Sequence, residues 1–263
     1  MIEYGTQIVG DVSLGKGGKI YLDVPIFNTV EKAVAETGAN VSIIFVPAPF
    51  AADAIIESAA SGIDLIVCIT ERITVQDMIK VKAYLKNTKT RLIGPNCPGL
   101  ITPEEAKVGI MPGFIHKKGT IGIVSRSGTL SYEVVYQLTE LGLGQSTGVG
   151  IGGDPILGSS MKEIVELFMY DDNTEAIVVV GEIGGNTENE MADFVKEHPL
   201  KPVFAFISGV TAPKGRTMGH AGAIIGGKDD TAQAKKNYLK SCGINIIDNP
   251  ADIGKTIYNF LKK

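Results

Sequence analysis

Tryptophan is absent from this 263-residue chain, and cysteine is scarce, at Cys68, Cys97 and Cys242 only. The missing tryptophan excludes no function. Three cysteines are too few and too scattered for a disulfide framework or a metal site, so a reducing compartment is expected and no metal is assigned to the chain. No apolar run approaches the ~20 residues of a membrane span. Met1 leads straight into Ile2-Glu3-Tyr4, without the basic segment and apolar core of a secretory signal. The expected location is therefore cytoplasmic, with no membrane partner. Basic blocks are missing too: the formal net charge is −4, and nothing in it favours nucleic acid. Internal repeats and low-complexity tracts are also lacking.

What remains is apolar and rich in glycine. Hydrophobic residues make up 44% and charged residues 21%, ordinary for a globular protein, and the length suits one large domain or two of common size. The 32 glycines cluster at the ends of apolar runs, where βα turns need residues without a Cβ. Strand-like runs fall at 41–46, 65–70 and 91–94, then at 120–125, 146–151, 176–181, 203–208 and 244–247. Helical patterns intervene at 50–61, 74–87, 129–141, 160–169, 187–197, 231–241 and 251–261. Such alternation implies parallel sheets with helices on both faces. Between Pro95 and Gly119 it lapses into a Pro/Gly-rich stretch that reads as a domain junction. The expected fold is α/β, two doubly wound parallel-sheet domains over residues 1–96 and 97–263.

The chemistry centres on His220, in Ala212-Pro213-Lys214-Gly215-Arg216-Thr217-Met218-Gly219-His220-Ala221-Gly222-Ala223. Small neighbours leave both ring nitrogens open to a large anion, and neutral imidazole is nucleophilic near pH 7. The bland alternative is a histidine in a glycine-rich surface loop. Two further segments argue against it. The buried-strand pattern Ala176-Ile177-Val178-Val179-Val180-Gly181 delivers one acid, Glu182, into a glycine turn at its carboxyl end, the edge where open α/β sheets bind ligands. A carboxylate there can hold one nitrogen of a histidine and leave the other free to react; a solvated loop acid would look the same in sequence. Another strand ends in Ser125-Arg126-Ser127-Gly128-Thr129, where a helix begins. Ser127, Gly128 and Thr129 would cradle a phosphate on free amides and the helix dipole, although such junctions also occur as plain structure. Together the three elements point to phosphoryl transfer through histidine.

Five segments, in order, resemble the α subunits of succinyl-CoA synthetase (succinate–CoA ligase). They are Gly94-Pro95-Asn96-Cys97-Pro98-Gly99; Ser125-Arg126-Ser127-Gly128-Thr129-Leu130; Gln145-Ser146-Thr147-Gly148-Val149-Gly150-Ile151-Gly152-Gly153-Asp154-Pro155; Gly181-Glu182-Ile183-Gly184-Gly185; and the His220 loop. The resemblance runs from about Tyr4 to the C-terminus. It implies a Rossmann-like coenzyme A domain followed by a flavodoxin-like ligase domain carrying a phosphohistidine. Family members begin with a strand and a G-F-T-G-x-x-G turn that cradles CoA. The opening Met1-Ile2-Glu3-Tyr4-Gly5-Thr6 resembles the end of the following helix, so the first β-α unit is expected to be missing here.

Carried over by position, the resemblance makes Lys16 in Gly15-Lys16-Gly17-Gly18 a CoA contact; Ile69, Thr70 and Glu71 a second; and Asn96 and Cys97 the segment near the thiol end of CoA. Without it these residues read as turn, strand end and loop, and Cys97 as an inert small residue. Tyr132 matches a substrate-contacting tyrosine and equally suits packing. His116 and His198 are given no role. The implied reaction is reversible, within the tricarboxylic acid cycle: succinate and phosphate exchange through succinyl phosphate, CoA displaces phosphate, and His220 passes the phosphoryl group to ADP or GDP. No nucleotide-grasp domain is recognisable in the chain, so the resemblance implies a β subunit that carries one, with Mg²⁺ and ATP/ADP or GTP/GDP. The rivals are an acyl-CoA ligase for acetate, malate or citrate, and a non-catalytic CoA-binding regulatory protein.

Overall fold

The computed structural model describes residues 1–262. Its elements run β1 (Asp11–Val12), β2 (Ile20–Tyr21), β3 (Val24–Phe27), α1 (Val30–Thr37), β4 (Val41–Ile44), α2 (Ala48–Ala60), β5 (Leu65–Cys68), α3 (Val75–Leu85) and β6 (Arg91–Ile93). They continue through β7 (Gly99–Thr102), β8 (Ala106–Gly109), β9 (Lys118–Ser125), α4 (Gly128–Glu140), β10 (Gln145–Gly150), α5 (Met161–Tyr170) and β11 (Ala176–Glu182). The chain closes with α6 (Thr187–Glu197), β12 (Val203–Ser208), α7 (Ala232–Ser241), β13 (Asn245–Ile246) and α8 (Ile253–Leu261).

Three sheets result. A small one has the order β1-β3-β2, a parallel one the order β4-β5-β6, and the large one β13-β12-β11-β9-β10-β7-β8. Within the large sheet the five strands β9 to β13 are parallel in the flavodoxin order, the second strand in sequence lying outside the first and the third returning to its other side. β11 shows why the centre of that sheet is apolar throughout. All seven of its residues are buried, because it pairs with β9 on one side and β12 on the other while helices cover both faces. Five of the helices start on hydroxyl caps: Thr29, Thr74, Ser127 and Thr231 each accept from a first-turn amide, and Ser160 forms a capping box with Glu163.

The parallel strands and most helices fall where the alternation places them. The Pro95–Gly119 stretch differs: it folds into the hairpin β7–β8, whose β7 pairs antiparallel with β10 and extends the large sheet. Its four-residue strands are too short and too rich in glycine to show a period. Helix α1 and strands β1 to β3 also went unread, each being eight residues or fewer. The two parallel sheets share apolar packing: Val67 of β5 and Ile93 of β6 belong to one buried cluster with Val124, Val149, Ile164 and Val179. Among the described residues, no helix is long and apolar enough to cross a membrane.

Candidate active site

The strand order brings the glycine-rich turns of the sequence to one place. β9 and β11 are neighbours at the point where the order reverses, so their carboxyl ends flank the crevice in which this topology binds ligands. Ser125 ends one of these strands, with Arg126 next in the chain, and Glu182 ends the other. The glycine loop that follows β12 folds back over both. Met218 donates its N–H to Ala223 O, Gly222 donates to Gly153 O, and a bridge joins Thr217 to Ile224. This hairpin-like loop carries His220 at its turn.

There His220 Nδ1 lies 2.8 Å from Glu182 Oε2. Glu182 is buried and the histidine half-buried. Because the carboxylate accepts a hydrogen bond from Nδ1–H, the Nε2 lone pair is the one left open, and among the described residues Nε2 has no hydrogen-bond partner. The hydrogen bond to Glu182 raises the histidine pKa above its ordinary value; burial and the nearby Arg126 charge oppose that rise, and Asp154 adds to it. Close approach of the ring depends on Gly153, where a Cβ would stand 2.2 Å from His220 Cγ. Glycine at 222 is needed likewise, since a Cβ there would meet Arg126 Nη2 at 2.8 Å.

Glu182 is itself held from behind. Glu188, in the first turn of α6, accepts the Glu182 backbone N–H at 3.1 Å and Arg126 Nη1 at 3.3 Å. Its other oxygen accepts from Lys235 Nζ at 2.5 Å. Lys235 also donates to the carbonyls of Glu182 and Gly184, at 2.9 and 2.6 Å. Arg126 Nη2 lies 3.2 Å from Glu182 Oε1. Sequence reasoning missed Glu188, Lys235, Asp154 and the role of Arg126. Arg126 sat inside a quoted motif, but charged residues on the amphipathic helices α6 and α7 carry no sign that they point inward.

The proposed phosphate cradle opens beside this group. Ser127 caps α4 by accepting from Leu130, while its own N–H goes to Ser125 Oγ at 3.0 Å. Among the described residues the amides of Gly128 and Thr129 have no acceptor, which leaves two donors and the positive end of a 13-residue helix. Pro98 lies against this turn, 3.6 Å from where a Cβ on Gly128 would sit. Tyr132, half-buried one turn into α4, has its hydroxyl pKa raised by burial and by the neighbouring Cys97.

Asn96 and Cys97 follow β6 and sit between the two parallel sheets. Asn96 donates from Nδ2 to Asp154 Oδ1 at 2.9 Å and from its backbone to Thr70 O at 2.9 Å. Thr70 in turn donates to Val46 O. Residues 69–71 and Asn96 are thus joined, on the same edge as the ends of β4 and β5. Cys97 Sγ donates to Cys68 O, and burial pushes its thiol up to about 12, so it is a protonated packing group at neutral pH. Lys16 is exposed in the loop between β1 and β2, whose amides at Gly15 and Gly17 donate to Asn28 Oδ1. Among the described residues no hydrogen bond links this loop to residues 69–71 or 96. His116 is bound through Nδ1 to Pro112 O and its pKa is lowered by burial. His198 stacks on Phe194 at the end of α6.

Known proteins are similar to this chain in sequence and in fold. A CoA binding domain family matches residues 1–72 and a CoA-ligase family matches residues 124–244. The ADP-forming succinate–CoA ligase α subunit of Staphylococcus epidermidis is 57% identical over the whole chain, which covers 87% of that protein. Its Staphylococcus aureus counterpart is 56% identical over the same share. Among solved structures, an ATP citrate lyase from Methanothrix soehngenii, in complex with citrate and coenzyme A, superposes with a TM-score of 0.86 at 25% identity. That likeness covers 91% of this chain and 42% of the lyase.

Proposed function

The chain belongs to the family of succinate–CoA ligase α subunits, acid–thiol ligases of the ADP-forming kind, and on that premise we propose that its reaction runs through a phosphoryl group on His220 Nε2. Membership in this family selects succinate over the acetate, malate and citrate rivals and sets aside a purely regulatory role. As an α subunit it implies a β partner.

The observation that carries the proposal is the 2.8 Å contact between His220 Nδ1 and the buried Glu182 carboxylate. It fixes the tautomer whose Nε2 is nucleophilic. When Nε2 attacks the γ-phosphorus of ATP, an N–P bond forms, the bond to the β-phosphate oxygen breaks and ADP leaves. The proton on Nδ1 stays shared with Glu182, which supports the positive charge that builds on the ring. Gly128 and Thr129 offer amides to the phosphoryl oxygens, and the loop geometry set by Gly153 holds the ring in place. Transfer onward to succinate reverses these roles. Tyr132, at the same helix end, is our candidate for contact with the acid.

Coenzyme A is the expected ligand of the CoA-binding region, and the residues there fit it: an exposed lysine in a glycine loop, and backbone turns at the carboxyl edge of a parallel sheet. We assign Lys16, Ile69, Thr70, Glu71, Asn96 and Cys97 to that site, where CoA supplies a thiol as acyl acceptor. The nucleotide and Mg²⁺ we assign to the β subunit. We also divide the chain between residues 96 and 97, since β6 pairs within the small parallel sheet and β7 within the large one.

The test is to incubate the purified αβ complex with γ-labelled ATP and map the label. Acid-labile, base-stable label on His220, discharged by succinate with CoA, is the expected result. Label on another residue, or none with an active complex, overturns the route.

A further inference from the structure

Four charged side chains are buried behind His220, more than holding its ring requires. Arg126 is 4% exposed, Glu182 5%, and Glu188 and Lys235 0%. Their formal charges cancel. Such a cluster is weak evidence for stability, because well-packed hydrophobic residues of similar volume often serve a fold as well or better. What a hydrophobic set cannot do is place a cation beside the buried Glu182 carboxylate.

That carboxylate creates a conflict. It orients the ring, yet phosphorylation of Nε2 brings about two further negative charges onto the same imidazole. A cation beside Glu182 removes the conflict, and Arg126 is so placed. Nη2 lies 3.2 Å from Glu182 Oε1 and directly beneath the loop that bears His220, against Gly222. Arg126 Nε and Glu182 Oε1 are both buried without a hydrogen-bond partner among the described residues. The Arg126–Glu182 contact is therefore one of charge, not an aligned hydrogen bond, and the guanidinium keeps an unspent donor. Glu188 and Lys235 hold the arrangement rigid: Glu188 ties Arg126 to the Glu182 backbone, and all three protons of Lys235 go to the Glu182–Gly184 turn and to Glu188.

We propose that Arg126, locked in place by Glu188 and Lys235, is a positioning residue that balances the charge of Glu182 and so sets how favourable the phosphorylated state of His220 is. This rests on the reading of His220 as the phosphoryl acceptor. The equilibrium between ATP plus free enzyme and ADP plus phosphoenzyme is then tuned from the back of the site, by groups that touch no substrate.

The experiment compares wild-type αβ complex with Arg126→Met, Arg126→Lys and Glu188→Gln. The fraction phosphorylated is measured over a series of ATP/ADP ratios, and the His220 ring is titrated by NMR. The charged groups acting on that ring are Glu182 from β11, Arg126 after β9 and Asp154 after β10, with Glu188 and Lys235 behind them. Arg126→Met is expected to lower the phosphorylation equilibrium constant at least ~10-fold and to move the His220 titration to higher pH. Arg126→Lys, which restores the charge, should recover most of both, and Glu188→Gln should fall between. A merely structural Arg126 would lower the melting temperature and leave the equilibrium constant and the titration midpoint unmoved. If Arg126→Met does not fold, an equilibrium constant and a titration midpoint that stay at wild-type values in Glu188→Gln overturn the proposal. A wild type labelled on His220 with insensitive variants sinks the role of Arg126 alone; an unlabelled wild type sinks the His220 reading together with it.

Discussion

The carboxyl edges of the two parallel sheets are built on opposite plans. At the β4-β5-β6 edge the assigned residues other than the buried Cys97 are exposed or half-buried, and they are stitched together by backbone bonds such as Asn96 N–H to Thr70 O. Lys16 stands apart in a surface loop. At the edge formed by β9 and β11, by contrast, a buried carboxylate grips a histidine, Arg126 faces that carboxylate, and Glu188 and Lys235 hold the Glu182 backbone. The difference follows from the ligands expected at each. A long, highly charged cofactor brings its own phosphates to exposed cations and amides, and much of its binding is made on arrival. A histidine that must accept and release a phosphoryl group needs its charges aimed beforehand, in surroundings where each counts for more than in water.

Substitutions that separate the two plans test that contrast, and the sharpest falls on the nucleophile. His220→Asn is expected to abolish acid-labile phosphorylation of the αβ complex while circular dichroism and melting temperature stay as in wild type. Phosphate uptake by that variant would break the contrast, because the buried edge would then not be the phosphoryl site.

Glu182→Gln keeps the shape of the side chain and removes its charge. A loss on the order of 10²-fold in phosphorylation rate is expected. The pH profile adds a sign. The His220 pKa is raised, chiefly by Glu182, so the neutral, attacking ring is lost as pH falls through a value above the ordinary ~6.5. The variant should hold its neutral ring to lower pH and yet react more slowly, and a single-turnover pH series reads both. A profile that does not move returns Glu182 to the status of a loop acid.

Gly153→Ala asks whether geometry matters as much as charge. The added methyl carbon would stand 2.2 Å from His220 Cγ, so the ring must shift. A rate loss between about 10-fold and 10²-fold is expected, with about 1–3 kcal/mol of destabilisation in urea unfolding. Wild-type kinetics in this variant would mean that the loop adapts and that the site is less rigid than drawn.

The smallest effect belongs to the other edge. Lys16→Ala should weaken CoA binding by roughly 5- to 10-fold, about one charge-assisted hydrogen bond, and leave His220 phosphorylation unchanged. Calorimetry with CoA and the labelling assay together read this. Equal CoA affinity would remove Lys16 from the site, and a change in phosphorylation would show that the two edges are not separable.

Much of this was legible before any coordinates. β11 announces itself as a continuous apolar run because it is buried on both faces, and the acid at its end stands out against the glycines that follow. His220 is conspicuous because its neighbours are small. Glu188 and Lys235 are not conspicuous at all, and Asp154, though inside a motif-bearing segment, carries no mark of its partners there. Helices α6 and α7 carry many charges, and a periodicity of 3.6 cannot say which of them points at a buried carboxylate from another element. The hairpin β7–β8 hid for another reason, since short glycine-bearing strands lack the alternation that marks longer ones.

The sequence by itself determined the class of fold, the alternation of the longer strands and helices, and the histidine and acid to propose for the chemistry, because these depend on local pattern and on the chemistry of single side chains. Only the tertiary structure decided that Glu182 meets Nδ1 and leaves Nε2 free, that Gly153 makes room for the ring, and that Arg126, Glu188 and Lys235 are buried behind the carboxylate. Those facts depend on which strands become neighbours. The reversal of strand order at β9 and β11 gathers residues 126, 153, 182, 188, 220 and 235 into one crevice, and no local period in the chain encodes a distance between segments so far apart.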